Sequence, residues 1–137
     1  MSNAVDLSNS LIQTVIGAAI AQPIKWPNAP FTTPDGSAWV RVTPMYSPPV
    51  ELTYSGTDEL IGVLQIDVFD VPDAGDLLGM QISDQIRQAF PQDGNKVTSG
   101  GVSVQFNSIG VTGSGEDGVW YKTMIEARFY SFVDRNV

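Results

Sequence analysis

The chain has 137 residues, enough for one domain with its own hydrophobic core, so we expect residues 1–137 to form a single domain. It contains neither cysteine nor histidine, which excludes disulfides, thiolate metal sites and serine–histidine or cysteine–histidine catalysis. Seven scattered basic residues stand against 15 acidic ones, a formal net charge of −8, and direct nucleic-acid binding is therefore not expected. The longest apolar stretch, residues 11–21, is too short to cross a bilayer and lacks the basic flank of a signal peptide.

The first quarter of the chain predicts a helix followed by a stiff connector. Residues 7–22 have apolar side chains at helical spacing, with Asp6 as the expected N-cap and a proline at the end. Residues expected to face the core are Leu11, Ile12, Val15, Ile16, Ala19 and Ile20, and those expected to face solvent are Ser10, Gln13 and Thr14. Four prolines restrict the backbone of residues 23–34, and we expect Trp26 and Phe31 to hold this connector against the core.

The middle of the chain predicts two strands separated by a long connection. Residues 38–45 alternate like a strand, and Pro44 within it predicts either the edge of a sheet or the end of regular pairing. Residues 47–59 predict a long connection, and residues 60–71 predict a central strand.

A second helix is predicted over residues 73–90. Asp73 and Asp76 have the N-cap and N3 spacing of a capping box. Gly79 costs about 1 kcal/mol relative to alanine inside a helix, which predicts close packing against another backbone. The apolar stripe of this helix comprises Leu78, Ile82, Ile86 and Ala89.

The last third predicts β-structure. Val102, Val104 and Phe106 alternate with polar residues, as in a short half-buried strand. Residues 110–118 contain four glycines and predict a mobile loop. Residues 119–132 alternate without a break and predict a strand of about 45 Å, longer than a domain of this size can cover on both faces.

One face of this last strand has a composition typical of protein–protein interfaces. It combines charged residues with Trp120, Met124, Tyr130 and Phe132. The alternative is that these side chains lie beneath the proline-rich connector. Together the predicted elements indicate an α+β fold, a mainly antiparallel sheet of four to five strands with two helices packed on one face.

Four carboxylates fall close together in the sequence: Asp67, Asp70, Asp73 and Asp76. A converging group of this kind would bind a divalent cation, but in a strand Asp67 and Asp70 point to opposite faces. The other two are explained by helix capping. We therefore predict no metal site, no cofactor and no catalytic residue. The alternative from the residues alone is a carboxylate metal-dependent hydrolase using Asp67 or Asp73 with Glu126 and Lys122.

Five short segments stand in a characteristic order: residues 26–31 (WPNAPF), 39–42 (WVRV), 62–69 (GVLQIDVF), 84–86 (DQI) and 117–120 (DGVW). In this order and spacing, along residues 8–132, the chain resembles the bacteriophage tail terminator family. It departs from the family pattern at residues 73–75, where a turn richer in glycine is expected.

The resemblance implies a structural virion protein without an active site. Such a protein forms a ring, expected to be a hexamer, which caps the tail tube, ends tube polymerisation and offers the surface for joining the head. The implied partners are further copies of the chain, the tail tube protein and the head–tail connector protein. The implied location is the head-proximal end of the tail, after assembly in the host cytoplasm. A head–tail connector or neck protein of the same virion is the alternative.

Ring closure requires two different contact patches on each subunit. The long last strand and residues 41–59 are the candidates, and the predicted interface residues are Arg41, Trp120, Met124, Arg128 and Tyr130. The acidic charge suits a channel that lets DNA pass without binding it.

Overall fold

A computed structural model of the chain describes residues 4–47, 50–51, 57–73, 75, 77–89, 95–97 and 103–134. Within these residues one seven-stranded sheet carries two helices on one face, which confirms the predicted α+β class. Four strands are long, although the one over residues 103–117 was predicted to be short, and three further short strands extend the sheet. Neither helix in this part of the chain has the length and apolar character needed to cross a bilayer.

The elements follow in the order α1 (Ala4–Gly17), β1 (Ile24–Lys25), β2 (Trp39–Tyr46), β3 (Val50–Glu51), β4 (Thr57–Asp70), α2 (Leu77–Ala89), β5 (Asn95–Val97), β6 (Ser103–Asp117) and β7 (Trp120–Asp134). The strand order across the sheet is β1-β2-β4-β7-β6-β5, with β3 paired to β4. Strands β1 and β2 are parallel, and the other pairs are antiparallel.

Helix α1 begins and ends earlier than predicted. Asp6 lies inside the helix rather than at its N-cap, and the chain leaves the helix through Ala19, whose φ is 54°. The buried positions are Leu11, Thr14, Val15 and Ala18. This buried stripe is rotated about the helix axis relative to the predicted one. Thr14 is therefore buried and Ile16 is exposed, both contrary to prediction.

Helix α2 begins later than predicted. Asp73 and Gly75 have φ values of 65° and 80°, so the chain makes a left-handed turn before α2. Asp73 therefore cannot be the N-cap, which has an extended backbone; Ala74 and Asp76 lie outside the described residues. The predicted close packing at Gly79 is confirmed, but against a side chain, since a Cβ at this position would lie 2.7 Å from the Cβ of Thr123.

The glycine-rich segment that we expected to be mobile belongs to strand β6. It pairs with β7 as far as Asp117, with register shifts between Phe106 and Ser108 and between Val111 and Gly113. Pairing with a long, regular neighbour satisfies the backbone groups of this segment and so offsets the low strand propensity of glycine.

The edges of the sheet also differ in part from prediction. Among the described residues, β1 pairs with β2 only at Val40 and Arg41, so no described strand pairs with the outer edge of β2 at Pro44, as the edge interpretation predicted. The alternative, that regular pairing ends at Pro44, is wrong, because β2 pairs with β4 as far as Tyr46. The predicted long connection over residues 47–59 is shorter, because it contains β3 and the start of β4. Residues 48–49 and 52–56 lie outside the described part.

The sheet has two different faces. One packs against α1 and α2 through Leu64, Ile66, Val68, Ile125, Ala127 and Phe129, which are all buried in the main core. The residues that alternate with these point to the opposite side, which we call the helix-free face.

Candidate functional site

The helix-free face is assembled by the register of the long strands. It aligns residues of β2, β4, β7 and β6 in rows: Trp39–Phe69–Lys122–Gly115, Arg41–Asp67–Met124–Gly113, Thr43–Gln65–Glu126–Gly110 and Met45–Val63–Arg128–Ser108. A further row joins Ile61 to Tyr130. All five predicted interface residues lie on this face, but their surroundings differ.

An aromatic cluster closes one end of the helix-free face, which we call the strapped end: Phe31, Trp39, Phe69 and Trp120. The Trp39 ring stacks on Phe69 at a centroid distance of 4.2 Å, and Phe31 packs on Trp39 at 5.3 Å. Trp120 meets Trp39 edge-on at 6.1 Å. The connector thus lies over this end, as predicted for Phe31, and Trp120 contacts the chain itself.

The indole Nε1 of Trp39 is buried and has no hydrogen-bond partner among the described residues. A buried donor left unpaired costs free energy. The contacts of the ring with Phe31, Phe69 and Trp120 must offset this cost, so the strapped end is held by ring packing rather than by polar contacts.

Next to the strapped end lies an ion pair with a buried carboxylate. Asp67 is 1% exposed, and its Oδ2 accepts hydrogen bonds from Arg41 Nη2 at 2.8 Å and Nε at 3.2 Å. Gln65 Nε2 donates to Oδ1 at 3.0 Å, and the Arg41 guanidinium lies 5.0 Å from the Phe69 ring centroid. Arg41 therefore neutralises a buried charge inside its own subunit.

Of the other acidic residues singled out in the sequence, Asp76 lies outside the described residues. The Asp70 carboxylate accepts a hydrogen bond from the backbone N–H of Val71 at 2.8 Å. Lys122 forms an ion pair with Asp117 across the β6–β7 hairpin at 3.5 Å. Within the described ranges, no three acidic residues are placed to hold a metal ion.

The other end of the helix-free face carries apolar side chains in contact with solvent. We call Met45, Ile61, Val63 and Arg128 the open end. Met45 is 43% exposed and Ile61 is 45% exposed, and the register places both beside Val63. Arg128 is exposed in the same row as Met45 and Val63.

The sequence indicated only part of this surface. Arg128 and Tyr130 were predicted from the alternation of β7, and Met124 lies across the sheet against Gly113, where a Cβ would come within 2.9 Å of its methyl carbon. Met45 and Ile61 were missed, because nothing in their own strands distinguishes an uncovered apolar residue from a core one.

Comparison with known proteins agrees with the resemblance seen in the sequence. Residues 7–129 match the family model described as phage tail terminator protein. One solved structure, which is named only by a sequence number, is 20% identical with a TM-score of 0.73, covering 94% of this chain and 95% of that one. At 20% identity, this similarity shows only that the two chains share a fold. A search of curated proteins finds no match. The family match covers most of the chain, and the chain therefore belongs to the phage tail terminator protein family, with a structural role in the phage tail.

Proposed function

We propose that this protein caps the tail tube as a hexameric ring, ends tube polymerisation and offers the surface on which the head is joined, without catalysis. Its partners are further copies of itself, the tail tube protein and the head–tail connector protein, at the head-proximal end of the tail. The observation that carries this proposal is the open end, an apolar surface on the long strands of the sheet that nothing described in the chain covers.

Charge distribution supports an assembly role for the helix-free face. Among the residues whose side chains are described, this face has as many basic as acidic residues. The basic ones are Lys25, Arg41, Lys122 and Arg128, and the acidic ones are Glu59, Asp67, Asp117 and Glu126. The whole chain has a net charge of −8, so these described residues of the face carry none of the excess of negative charge. Copies of an acidic protein repel one another, and a balanced apolar face is where this repulsion is weakest.

The acidic excess also fits a ring through which DNA passes. Protein–DNA affinity comes largely from basic residues that neutralise phosphates, and this chain has seven basic residues in all. Two of them, Arg41 and Lys122, already form ion pairs with carboxylates. We expect no measurable shift of double-stranded DNA in a gel at physiological salt, and micromolar binding would contradict this part of the proposal.

The test is arrest of tube growth. Tube protein of the same phage is polymerised with and without this protein, and tube length is measured by negative-stain electron microscopy. We expect short tubes with one capped end. Ile61→Asp should abolish capping, whereas the matched control Ser37→Asp adds the same charge to the connector and should not. Tubes of unchanged length would overturn the proposal, and binding to the connector ring alone would identify a neck protein instead.

A further inference from the structure

The outer side of α2 carries a second exposed apolar patch. Leu77 is 66% exposed and Met80 is 42% exposed, and Asp84 is exposed one turn further along. Their spacing of three and four residues places all three on one side of the helix. The opposite side of α2 packs into the protein through Gly79, Ile82, Ser83 and Ile86. We call Leu77, Met80 and Asp84 the α2 outer patch.

The α2 outer patch and the open end are complementary in chemistry. Each has two exposed apolar side chains beside exposed charge, Asp84 followed by Arg87 one turn further along in the first and Arg128 in the second. Among the described residues, neither Asp84 nor Arg128 has an ion-pair partner. The two patches lie on opposite layers of the subunit, since α2 packs on one face of the sheet and the open end belongs to the other. They cannot meet within one chain.

We propose that the ring is closed by one repeated contact, in which the open end of each copy packs on the α2 outer patch of the next, with Arg128 facing Asp84. The inference rests on the proposed ring. Two different patches in contact form a heterologous interface, which closes into a ring when the rotation between neighbours allows it. Met45 and Met80 contribute flexible side chains that adapt to such a surface.

The charges favour this pairing over contact between two open ends. An open end facing another open end would bring Arg128 close to Arg128. Like charges facing each other suppress such pairings. A symmetric contact would also end at a dimer, because both copies use the same surface. The mixed contact leaves each copy with one free patch of each kind and so allows growth to a ring.

Charge reversal and its rescue test the contact directly. Arg128→Glu and Asp84→Lys are made singly and together, and the mass in solution is measured by light scattering, with tube protein added if the chain alone stays monomeric. Each single variant should raise the apparent dissociation constant of the ring by about tenfold or more, because like charges then face each other. The double variant should recover most of the loss. Lys25→Glu and Asp35→Lys make the same charge changes outside both patches and should leave the ring intact.

The outcomes separate this inference from the proposed function. If the wild-type protein forms the ring and the single variants form it equally well, the contact is wrong and the ring stands. Failure of the double variant to recover also overturns the pairing. If the wild-type protein forms no ring even with tube protein, both proposals fall. Thermal melting of each variant shows whether it is folded.

Cysteine cross-linking gives a second, independent test. The chain has no cysteine, so introduced pairs can be interpreted without background. The variant carrying both Ile61→Cys and Met80→Cys should form a ladder of covalent oligomers on mild oxidation, because a disulfide requires Cα atoms within about 7 Å. Each single-cysteine variant can give at most a dimer. Absence of a ladder in assembled rings would contradict the contact.

Discussion

The strapped end and the open end of the helix-free face lie on the same strands but have different surroundings. At the strapped end, Trp39 and Phe69 are covered by the connector that carries Phe31, and Trp39 is 7% exposed. At the open end, Met45 and Ile61 point the same way, yet nothing described in the chain covers them. Alternation along a strand thus specifies which face a side chain points to, whereas burial depends on what crosses that face.

The largest effect on stability is expected at the strapped end. Trp39→Ala removes the ring that joins Phe31, Phe69 and Trp120, and it should lower the free energy of unfolding by about 3–5 kcal/mol. Trp39→Phe keeps a ring and removes the unpaired indole N–H. It should therefore lower the free energy of unfolding much less than Trp39→Ala does. Urea unfolding measures both. Equal losses would show that the indole N–H has a partner in solution.

A slightly smaller effect is expected at Arg41, beside the strapped end. Arg41→Ala leaves the buried Asp67 carboxylate with Gln65 alone and should cost about 3 kcal/mol. In the double variant Arg41→Met with Asp67→Leu, the buried charge is gone, so most of that stability should return. Urea unfolding of both variants is the measurement. If Arg41→Ala leaves stability unchanged and prevents ring formation, Arg41 belongs to the interface, as the sequence predicted.

At the open end the effects on stability and on assembly should separate. Ile61→Thr keeps a β-branched residue at an exposed position, so the free energy of unfolding of the monomer should change by no more than about 0.5 kcal/mol. Assembly measured by solution mass should nevertheless weaken. Thr43→Val, on the same face two rows away, serves as the control. A large loss of stability at Ile61 would mean that the chain itself covers the open end.

The smallest expected effect concerns Tyr46 of β2, which pairs with Gly62 of β4 and points to the face that carries the helices. Desolvation by burial raises the pKa of Tyr46 above its ordinary value of 10.0, opposed by the hydrogen bond with Ser8. Because the folded state then holds its proton more tightly than the unfolded state, this contribution is present below pH 10 and is lost as the pH rises further. The free energy of unfolding of the wild type and of Tyr46→Phe is measured at pH 8 and at pH 11. Its decrease between the two pH values should be smaller in the variant. The same loss in both would exclude this linkage.

Much of the fold could be predicted because its elements are strongly periodic. Strands β4 and β7, the buried stripe of α2 and the edge position of Pro44 all follow from alternation, helical spacing and the chemistry of proline. The failures share one cause. The glycines of β6 disfavour a strand locally, and only the long partner β7 made pairing favourable. Similarly, Asp73 matched a capping motif, but the left-handed turn it adopts belongs to the path from the sheet to α2.

The candidate surface was predicted less completely than the fold. Sequence alternation placed Trp120, Met124, Arg128 and Tyr130 on one face of the last strand, and the sheet register confirms that placement and adds Arg41 to the same face. Their use as an interface stays a prediction. The partners of Arg41 and Trp120 are far away in sequence, so no local pattern could reveal that they contact Asp67 and Trp39.

The sequence by itself determined the chemistry available to this protein. Without histidine or cysteine, and with a net charge of −8, it limited the catalytic and nucleic-acid-binding functions open to the chain, and its order of segments indicated the family. Only the tertiary structure decided which apolar residues stay in solvent. The reason is physical: exposure depends on which distant segment crosses a face, and here the connector covers Trp39 but leaves Met45 and Ile61 open.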